Sequence, residues 1–198
     1  NLTNAGTIQT SGAAGPDMTV ASRFASTHTV ISVLGYYYAN GNLLYTPVPP
    51  CKIVDTRRTS AGIIDASEQR NFRVYGLGGT IGAQGGNPAG CPSPLGEPLA
   101  AHINMSAVDP TDKGNLQAFP LGAGPGAGLS VSYNTIDTNL TNAGTIQTSG
   151  AAGPDITVTS RFASAHTVIS VLGYYYANGN LLYTPVPPCK IVDTRNTP

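Results

Sequence analysis

Charged residues are scarce in this chain. They make up 10% of its 198 residues, whereas about a quarter is usual in soluble proteins. The ten basic and ten acidic side chains balance, so the formal net charge at pH 7 is zero. Binding to nucleic acid or to an anionic membrane surface requires a basic patch, and the sequence has no basic cluster. We therefore predict no nucleic-acid partner.

Long apolar runs are also missing, although apolar residues form 40% of the chain. The 24 glycines and 16 prolines interrupt every hydrophobic stretch, so none approaches the roughly 18 residues of a membrane-spanning helix. We expect no membrane span. The Val, Ile, Leu and Tyr content is sufficient for a core and excludes a wholly disordered chain.

Recognised catalytic and metal-binding motifs are absent from the sequence as well. It contains no G-x-S-x-G, no H-E-x-x-H and no phosphate-binding glycine motif that opens a helix. His28 recurs as His166 in the repeat described below, and neither these residues nor His102 has a carboxylate or thiol at ligand spacing. Asp109 and Asp112, which share one turn, are a weak candidate for Ca²⁺. We predict no enzyme activity, no cofactor and no metal site.

A long internal repeat dominates what is present. Residues 1–60 return as residues 139–198, and only five of the 60 aligned positions differ. The period of 138 residues is much longer than that of solenoid repeats and matches one globular domain. We therefore predict tandem domains, in which 1–42 is the C-terminal part of a preceding repeat, 43–180 a complete repeat and 181–198 the start of the following one. On this interpretation the chain is a window on a longer array.

Helical periodicity is almost absent from the repeat. Short runs rich in Val, Ile, Thr and Tyr alternate with clusters of Gly, Pro, Asn and Asp, as is typical of all-β sandwiches and barrels. We predict an all-β fold, a β-sandwich of immunoglobulin-like or jelly-roll-like type. Within it we expect 76–98 to be a long loop without a helix, 99–108 and 115–121 to form a hairpin, and 166–176 to be a central strand.

The cysteines occur as two per repeat. Cys51 and Cys91 belong to the complete unit, and Cys189 is the copy of Cys51 in the following repeat. Two cysteines per unit favour one disulfide between Cys51 and Cys91, and the partner of Cys189 would then lie beyond residue 198. A disulfide in every unit favours an oxidising extracellular environment. Two buried free thiols are the alternative. A zinc site is disfavoured because no C-x-x-C pair or His cluster accompanies them.

Tyrosines concentrate at the junction between repeats. Eight of the ten are two copies of the same four positions: Tyr36, Tyr37, Tyr38 and Tyr45, with Tyr174, Tyr175, Tyr176 and Tyr183. An Asn-Gly pair flanked by strand-forming residues lies within each copy, which is a strong hairpin signal. We expect a packed joint that also includes these residues and the leucines after them: Asn40, Gly41, Leu43 and Leu44, with Asn178, Gly179, Leu181 and Leu182.

Two arrangements of this joint are consistent with the sequence. If the hairpin forms, residues 43–46 pair back onto residues 31–38 of the preceding repeat, so that each unit donates a strand to its predecessor. The alternative is a plain four-residue linker between independent domains. Both joints are too short to act as a flexible tether, so we expect a rod that advances by roughly 35 to 45 Å per repeat.

Two further groups of polar residues are candidate sites. Asp55 and Arg57 place opposite charges on one face of a strand, and we interpret them as a structural ion pair, with a ligand-binding pair as the alternative. The triplets that begin at Asn1, Asn104 and Asn139 match the N-x-[ST] glycosylation rule. The many Ser and Thr hydroxyls are candidate O-glycan sites.

Three segments resemble those of a known group of proteins. They are YTPVPPCKIVDTR at 45–57, AQGGNPAGCP at 83–92 and HTVISVLGYY at 166–175. Together they resemble a family of uncharacterised bacterial secreted β-domains. The resemblance implies secretion and the pairing of Cys51 with Cys91, and it implies no catalytic activity.

These features together predict an extracellular structural protein. Tandem sandwiches, each with its own internal disulfide, would form a fibre, filament or stalk at a bacterial cell surface. The main partner of each unit would be another copy of itself. The alternative is a multivalent adhesin or carbohydrate-binding repeat with surface glycans as its ligands. That function would need an exposed aromatic or Asp/Arg platform in every unit. An enzyme is the third and most distant possibility.

Overall fold

The computed structural model describes residues 14–21, 29, 31, 33–37, 41–125, 128–134, 139–179 and 181. The helices and strands of these residues all lie between residues 44 and 176, inside the predicted complete repeat. In chain order they are β1 (Leu44–Asp55), a 3₁₀ turn (Thr56–Arg58), β2 (Gln69–Phe72), β3 (Gly76–Leu77), α1 (Gly78–Ala83), β4 (Gly90–Cys91), β5 (Ala100–Val108), β6 (Gly114–Pro120), β7 (Leu129–Tyr133), β8 (Leu140–Gln147), β9 (Ile156–Arg161) and β10 (His166–Tyr176).

Two four-stranded antiparallel sheets form a sandwich-like arrangement. The first has the order β1–β10–β5–β8 and the second the order β2–β9–β6–β7, while β3 and β4 form a small separate pair. One core lies between the sheets and contains Ile103 and Ile169 from the first and Leu116 and Val158 from the second, all fully buried. The prediction of an all-β, sandwich-like fold is confirmed.

The alternation along β5 shows how the sequence selects its buried face. Ala101, Ile103, Met105 and Ala107 are 0% exposed, whereas the residues between them are half-buried. Successive side chains of a strand point to opposite faces, so this pattern places one row in the core. Residues 166–176 also form one strand, as predicted, and this strand lies between β1 and β5.

The edge strand β1 contains the proline run. Pro47 lies opposite Gly173, and the register then moves to Cys51 opposite Val171, so residues 48–50 form a bulge. Proline cannot donate a backbone hydrogen bond, so it is tolerated at a sheet edge and discourages further pairing there. The predicted strands on either side of a proline connector are therefore the two halves of one bulged strand.

The disulfide between Cys51 and Cys91 is present, as predicted. The two Cα atoms are 5.9 Å apart, and the bond joins the second half of β1 to β4. It thereby fixes the glycine-rich segment 76–98 to the edge of the first sheet.

That segment is not the plain loop that we predicted. It contains two short strands and helix α1, because glycines let the chain fold back on itself at close range. A Cβ atom at Gly78, for example, would overlap the carbonyl oxygen of Pro88. The prediction of no helix here was wrong, although α1 has only six residues. None of the helices formed by the described residues has the length and apolar character needed to cross a bilayer.

The predicted hairpin between 99–108 and 115–121 does not form. β5 belongs to the first sheet and β6 to the second, so the turn between them carries the chain from one layer to the other. Both strands have a buried apolar row, and each row forms one wall of the core. Alternation identifies a buried face in a sequence, but it does not say which sheet the strand joins.

Candidate functional site at the repeat junction

The chain enters and leaves the folded unit at one place. At the start of β1, Leu44 lies opposite Tyr176 and Thr46 lies opposite Tyr174, so the first and last strands end side by side. The copy of Leu44 in the following repeat is Leu182, six residues after Tyr176 (182 − 176 = 6). Such a link spans at most about 21 Å. The end of β10 and the copy of Leu44 are therefore separated by a short stretch of chain.

The strand that pairs with the start of β1 belongs to the same unit. One of the two arrangements left open by the sequence paired residues 43–46 with residues 31–38 of the preceding repeat, but residues 44–46 pair with 174–176 of their own unit. None of the described residues among 31–38 belongs to a strand. Residues 35–38 and 173–176 share the sequence GYYY, so the two candidate partners are chemically the same. In the structure the start of β1 pairs with residues 174–176, and this pairing closes the unit.

The free edge of β1 contacts the first residue of the following repeat. The Tyr45 amide donates to the Leu181 carbonyl at 3.0 Å, and the Leu181 amide donates to the Tyr45 carbonyl at 2.9 Å. Just before this bridge, Gly179 passes so close to β1 that a Cβ atom would overlap the Leu44 carbonyl oxygen. Leu181 is the copy of Leu43. The contact therefore joins the edge of the folded unit to a residue of the second copy of the repeated sequence.

Two of the three consecutive tyrosines of β10 belong to the core. Tyr174 is 0% exposed and its hydroxyl donates to the Val74 carbonyl at 3.0 Å, while Tyr176 is 2% exposed. Burial raises the pKa of both hydroxyls. We expected all three side chains at the joint, but alternation sends Tyr174 and Tyr176 inward and leaves Tyr175 outward.

An aromatic cluster on the outer face of the first sheet, here called the outer cluster, consists of Tyr45, His102 and Tyr175. The Tyr45 ring centroid lies 5.0 Å from that of Tyr175 and 6.4 Å from that of His102. The Tyr45 hydroxyl donates to the Leu172 carbonyl at 3.0 Å. Burial lowers the pKa of His102 and, together with Tyr175, raises the pKa of Tyr45. Burial therefore favours the uncharged forms of His102 and Tyr45.

Gly173 makes room for the outer cluster, because a Cβ atom there would overlap the Tyr45 ring. We expect Gly173→Ala to displace the ring and to destabilise the fold by about 1–3 kcal/mol, as measured by urea unfolding. Gly79→Ala is a matched control, since nothing lies within 4 Å of a Cβ atom at that helical position. The control should be neutral or slightly stabilising. Equal losses of unfolding free energy in Gly173→Ala and Gly79→Ala would show that the Tyr45 ring does not need the space at Gly173.

Asp55 and Arg57 form the predicted ion pair, but they do not share a strand face as predicted, because β1 ends at Asp55 and Arg57 lies in the following 3₁₀ turn. Arg57 Nε lies 2.9 Å from Asp55 Oδ1 and Nη2 lies 3.0 Å from Oδ2, while Lys52 Nζ lies 3.1 Å from Oδ2. The Asp55 side chain is 0% exposed. Burial by itself raises the pKa of this carboxyl, but hydrogen bonds and charge from Arg57 and Lys52 outweigh it and lower the pKa to about 2. The pair stabilises the end of β1.

Acid should reveal the contribution of Asp55. Because its pKa in the fold, about 2, lies below the ordinary 3.8, the stabilisation is present above that ordinary value and is lost as the pH falls toward 2. The shift corresponds to about 2 kcal/mol. We expect Asp55→Asn to lower stability at pH 7 and to flatten the fall in acid, as measured by urea unfolding across this range. An unchanged acid slope would contradict this role, and Asp112→Asn, at an exposed position, is the control.

The other candidate polar residues lie apart from the junction or have structural partners. Asp109 and Asp112 lie in the turn between β5 and β6, where Asp112 Oδ1 accepts the amide of Lys113 at 2.7 Å. His166 Nδ1 lies 3.0 Å from Thr56 Oγ1. Within the described residues, no group of three or more His, Cys, Asp or Glu side chains could hold a metal ion.

Several predicted residues fall outside the part of the chain that the structure describes. They are Asn1, His28, Tyr38, Asn40, Leu182, Tyr183 and Cys189. Of the glycosylation candidates, Asn104 is half-buried on β5 and Asn139 is exposed.

Three residues near the junction were not predicted from the sequence: His102, Gly144 and Gly173. Gly144 and Gly173 lie inside strands, where a glycine often marks the close approach of another group. That signal was available in the sequence. His102 had no such signal, because its partners Tyr45 and Tyr175 come from distant parts of the chain.

Comparison with known proteins adds no further constraint on the junction. No family model, no curated protein and no solved structure matches the chain.

Proposed function

We propose that this chain is part of an extracellular fibre or stalk built from tandem β-sandwich units. The backbone pairing of Tyr45 with Leu181 carries the proposal, because it ties a folded unit to the first residue of the next repeat. A contact between two different surfaces can recur at every boundary and so builds an open assembly. The near-identity of the two copies supports the same joint at each boundary.

The position of the chain ends favours units that pack side by side. Since Leu44 and Tyr176 are paired, the link to the next unit starts and ends at the same edge of the sandwich. The advance per unit is then the width of a sandwich and not its length. Four strands about 4.8 Å apart and two sheets about 10 Å apart give roughly 20 to 30 Å with side chains included. This value replaces the 35 to 45 Å expected from the sequence.

The disulfide and the composition support an extracellular location and self-association. Disulfides such as Cys51–Cys91 persist in oxidising environments. With 10% charged residues and no net charge, the surface offers little repulsion between neighbouring copies.

Strand donation is a second form of the same assembly. In that form residues 44–46 would leave Tyr174–Tyr176 and pair with the identical sequence of the preceding unit. The disulfide at Cys51 holds the second half of β1 on its own unit in either form, and the bulge at 48–50 separates the two halves. The exchange therefore needs only the first few residues of β1 to move.

Electron microscopy of arrays of complete repeats tests the proposal. We expect rods of uniform width that lengthen by roughly 20 to 30 Å for each added repeat. A Gly/Ser insertion after Gly179 should make the rods flexible, whereas the same insertion after Gly122, in an exposed loop within the unit, should leave them stiff. Separate globular units joined by flexible linkers in the unmodified array would refute the proposal.

The glycan-binding alternative depends on the outer cluster. Its aromatic rings lie on one face of the sheet, as a carbohydrate platform requires, but Tyr175 is only 9% exposed. Glycan-array binding by the chain, abolished by Tyr45→Ala, would favour that alternative.

A further inference from the structure

We propose that the sandwich edge formed by β7 and β8 is a docking site for the last strand of the preceding unit, anchored by Leu34 and Tyr37. This inference rests on the proposed function and adds a second contact between consecutive units. The partner is specific: it is the copy of β10 that comes immediately before the unit in the chain.

The first anchor is Leu34, which lies in a notch between the two edge strands. A Cβ atom at Gly144 of β8 would lie 2.8 Å from Leu34 Cδ1 and 2.9 Å from Cδ1 of Leu129, which belongs to β7. The two leucine side chains therefore meet over the glycine. Any side chain at position 144 would fill the space that Leu34 uses. This accounts for a glycine inside an otherwise regular strand.

The second anchor is Tyr37, three residues further along. Its hydroxyl lies 2.8 Å from the hydroxyl of Tyr175. The Tyr175 hydroxyl also accepts a hydrogen bond from Thr145 Oγ1 at 3.5 Å, and Thr145 follows Gly144 in β8. Leu34 thus contacts the edge strand β8 directly, whereas Tyr37 contacts Tyr175 of β10 and is linked to β8 only through the hydrogen bond from Thr145.

The repeat identifies the surface from which these anchors project. Leu34 and Tyr37 are the copies of Leu172 and Tyr175. Leu172 is half-buried between the buried residues 171 and 173, and Tyr175 belongs to the outer cluster, so both side chains lie away from the core. In a complete preceding unit the same two residues would project from the outer face of its first sheet.

The docking contact can therefore repeat along the chain. One unit contributes the outer face of β10, and the next contributes the notch at Gly144 and Leu129, so two different surfaces meet. Together with the Tyr45–Leu181 bridge, this contact fixes a unit to its predecessor at a second point. Two separated contacts resist rotation about the short link.

Cysteine trapping in the full chain tests the docking. In a chain that also carries Cys189→Ser, the pair Leu34→Cys with Gly144→Cys should form a disulfide in oxidised glutathione, detected as a linked peptide by mass spectrometry. The matched pair Val33→Cys with Gly144→Cys should react at least about tenfold more slowly, because a disulfide requires Cβ atoms within about 4 Å and Val33 is 61% exposed. Equal rates, or no cross-link in either chain, would overturn the proposal.

A second measurement covers the case in which a cysteine at position 144 disturbs folding. In the Cys189→Ser chain, iodoacetamide should alkylate Leu34→Cys about fivefold more slowly than Val33→Cys, and Gly144→Leu should remove the difference by filling the notch. Equal alkylation rates of the Leu34→Cys and Val33→Cys chains when residue 144 is glycine would overturn the docking site. Failure of the docking site can be distinguished from failure of the proposed function, since the labelling reports on this chain and the microscopy reports on longer arrays.

Discussion

Replacing Tyr174 by alanine should destabilise the fold by about 3–5 kcal/mol, whereas the same change at its repeat copy Tyr36 should cost less than about 0.5 kcal/mol. The two positions have the same sequence context but different environments. Tyr174 is fully buried and hydrogen-bonded to the Val74 carbonyl, whereas Tyr36 is 67% exposed. The difference between the two losses therefore measures how much a tyrosine at this position contributes to the free energy of unfolding when it lies in a complete folded unit.

Urea unfolding of the two variants provides the measurement, and Tyr174→Phe separates packing from hydrogen bonding. Removing only the hydroxyl leaves the Val74 carbonyl without its partner and should cost about 1–3 kcal/mol. Similar losses for Tyr36→Ala and Tyr174→Ala in this chain would contradict the assignment of Tyr174 to the core. In an array with a complete preceding repeat, the two substitutions should become equivalent.

Replacing Cys51 and Cys91 by serine should cost about 4 kcal/mol, the other large effect that we expect. The disulfide closes a loop between residues 40 positions apart, and its loss returns that freedom to the unfolded chain. A loss of this size is a large part of the net stability of an ordinary domain.

Urea unfolding of the double serine variant should show this loss, and reduction of the native protein should reproduce it. Cys189→Ser is the control, because that residue has no counterpart of Cys91 within the sequence and its replacement should leave stability unchanged. A change below about 1 kcal/mol in the double variant would show that β1 and β4 hold the segment 76–98 without the covalent bond.

The features of the fold that depend on local pattern could be predicted from the sequence. The alternation of Ile103 and Met105 with polar residues identified the inward face of β5, and the length of β10 followed from its continuous apolar pattern. The assignment of β5 and β6 to different sheets could not be predicted, because both have the same alternation. Helix α1 was missed because a glycine-rich sequence has low helix propensity, and the close approach of Pro88, which leaves no room for a Cβ atom at Gly78, comes from residues outside the helix.

At the junction, too, local sequence features could be predicted and contacts between distant residues could not. The repeat and its clustered tyrosines pointed to the region where the first and last strands meet, and the pairing of Cys51 with Cys91 followed from the number of cysteines per unit. The strand that pairs with β1 could not be chosen, since 35–38 and 173–176 are identical in sequence. His102 and Thr145 reach the outer cluster from other strands, so no local pattern places them there.

The central claim is that successive copies form like units in a fixed relative orientation. The distance distribution between spin labels in two linked complete repeats tests it most directly, with Asp112→Cys, at an exposed position, carrying the label in each repeat. A single narrow distribution, which broadens when a Gly/Ser segment is inserted after Gly179, is the predicted result. A broad distribution in the unmodified pair, unchanged by the insertion, would contradict the account.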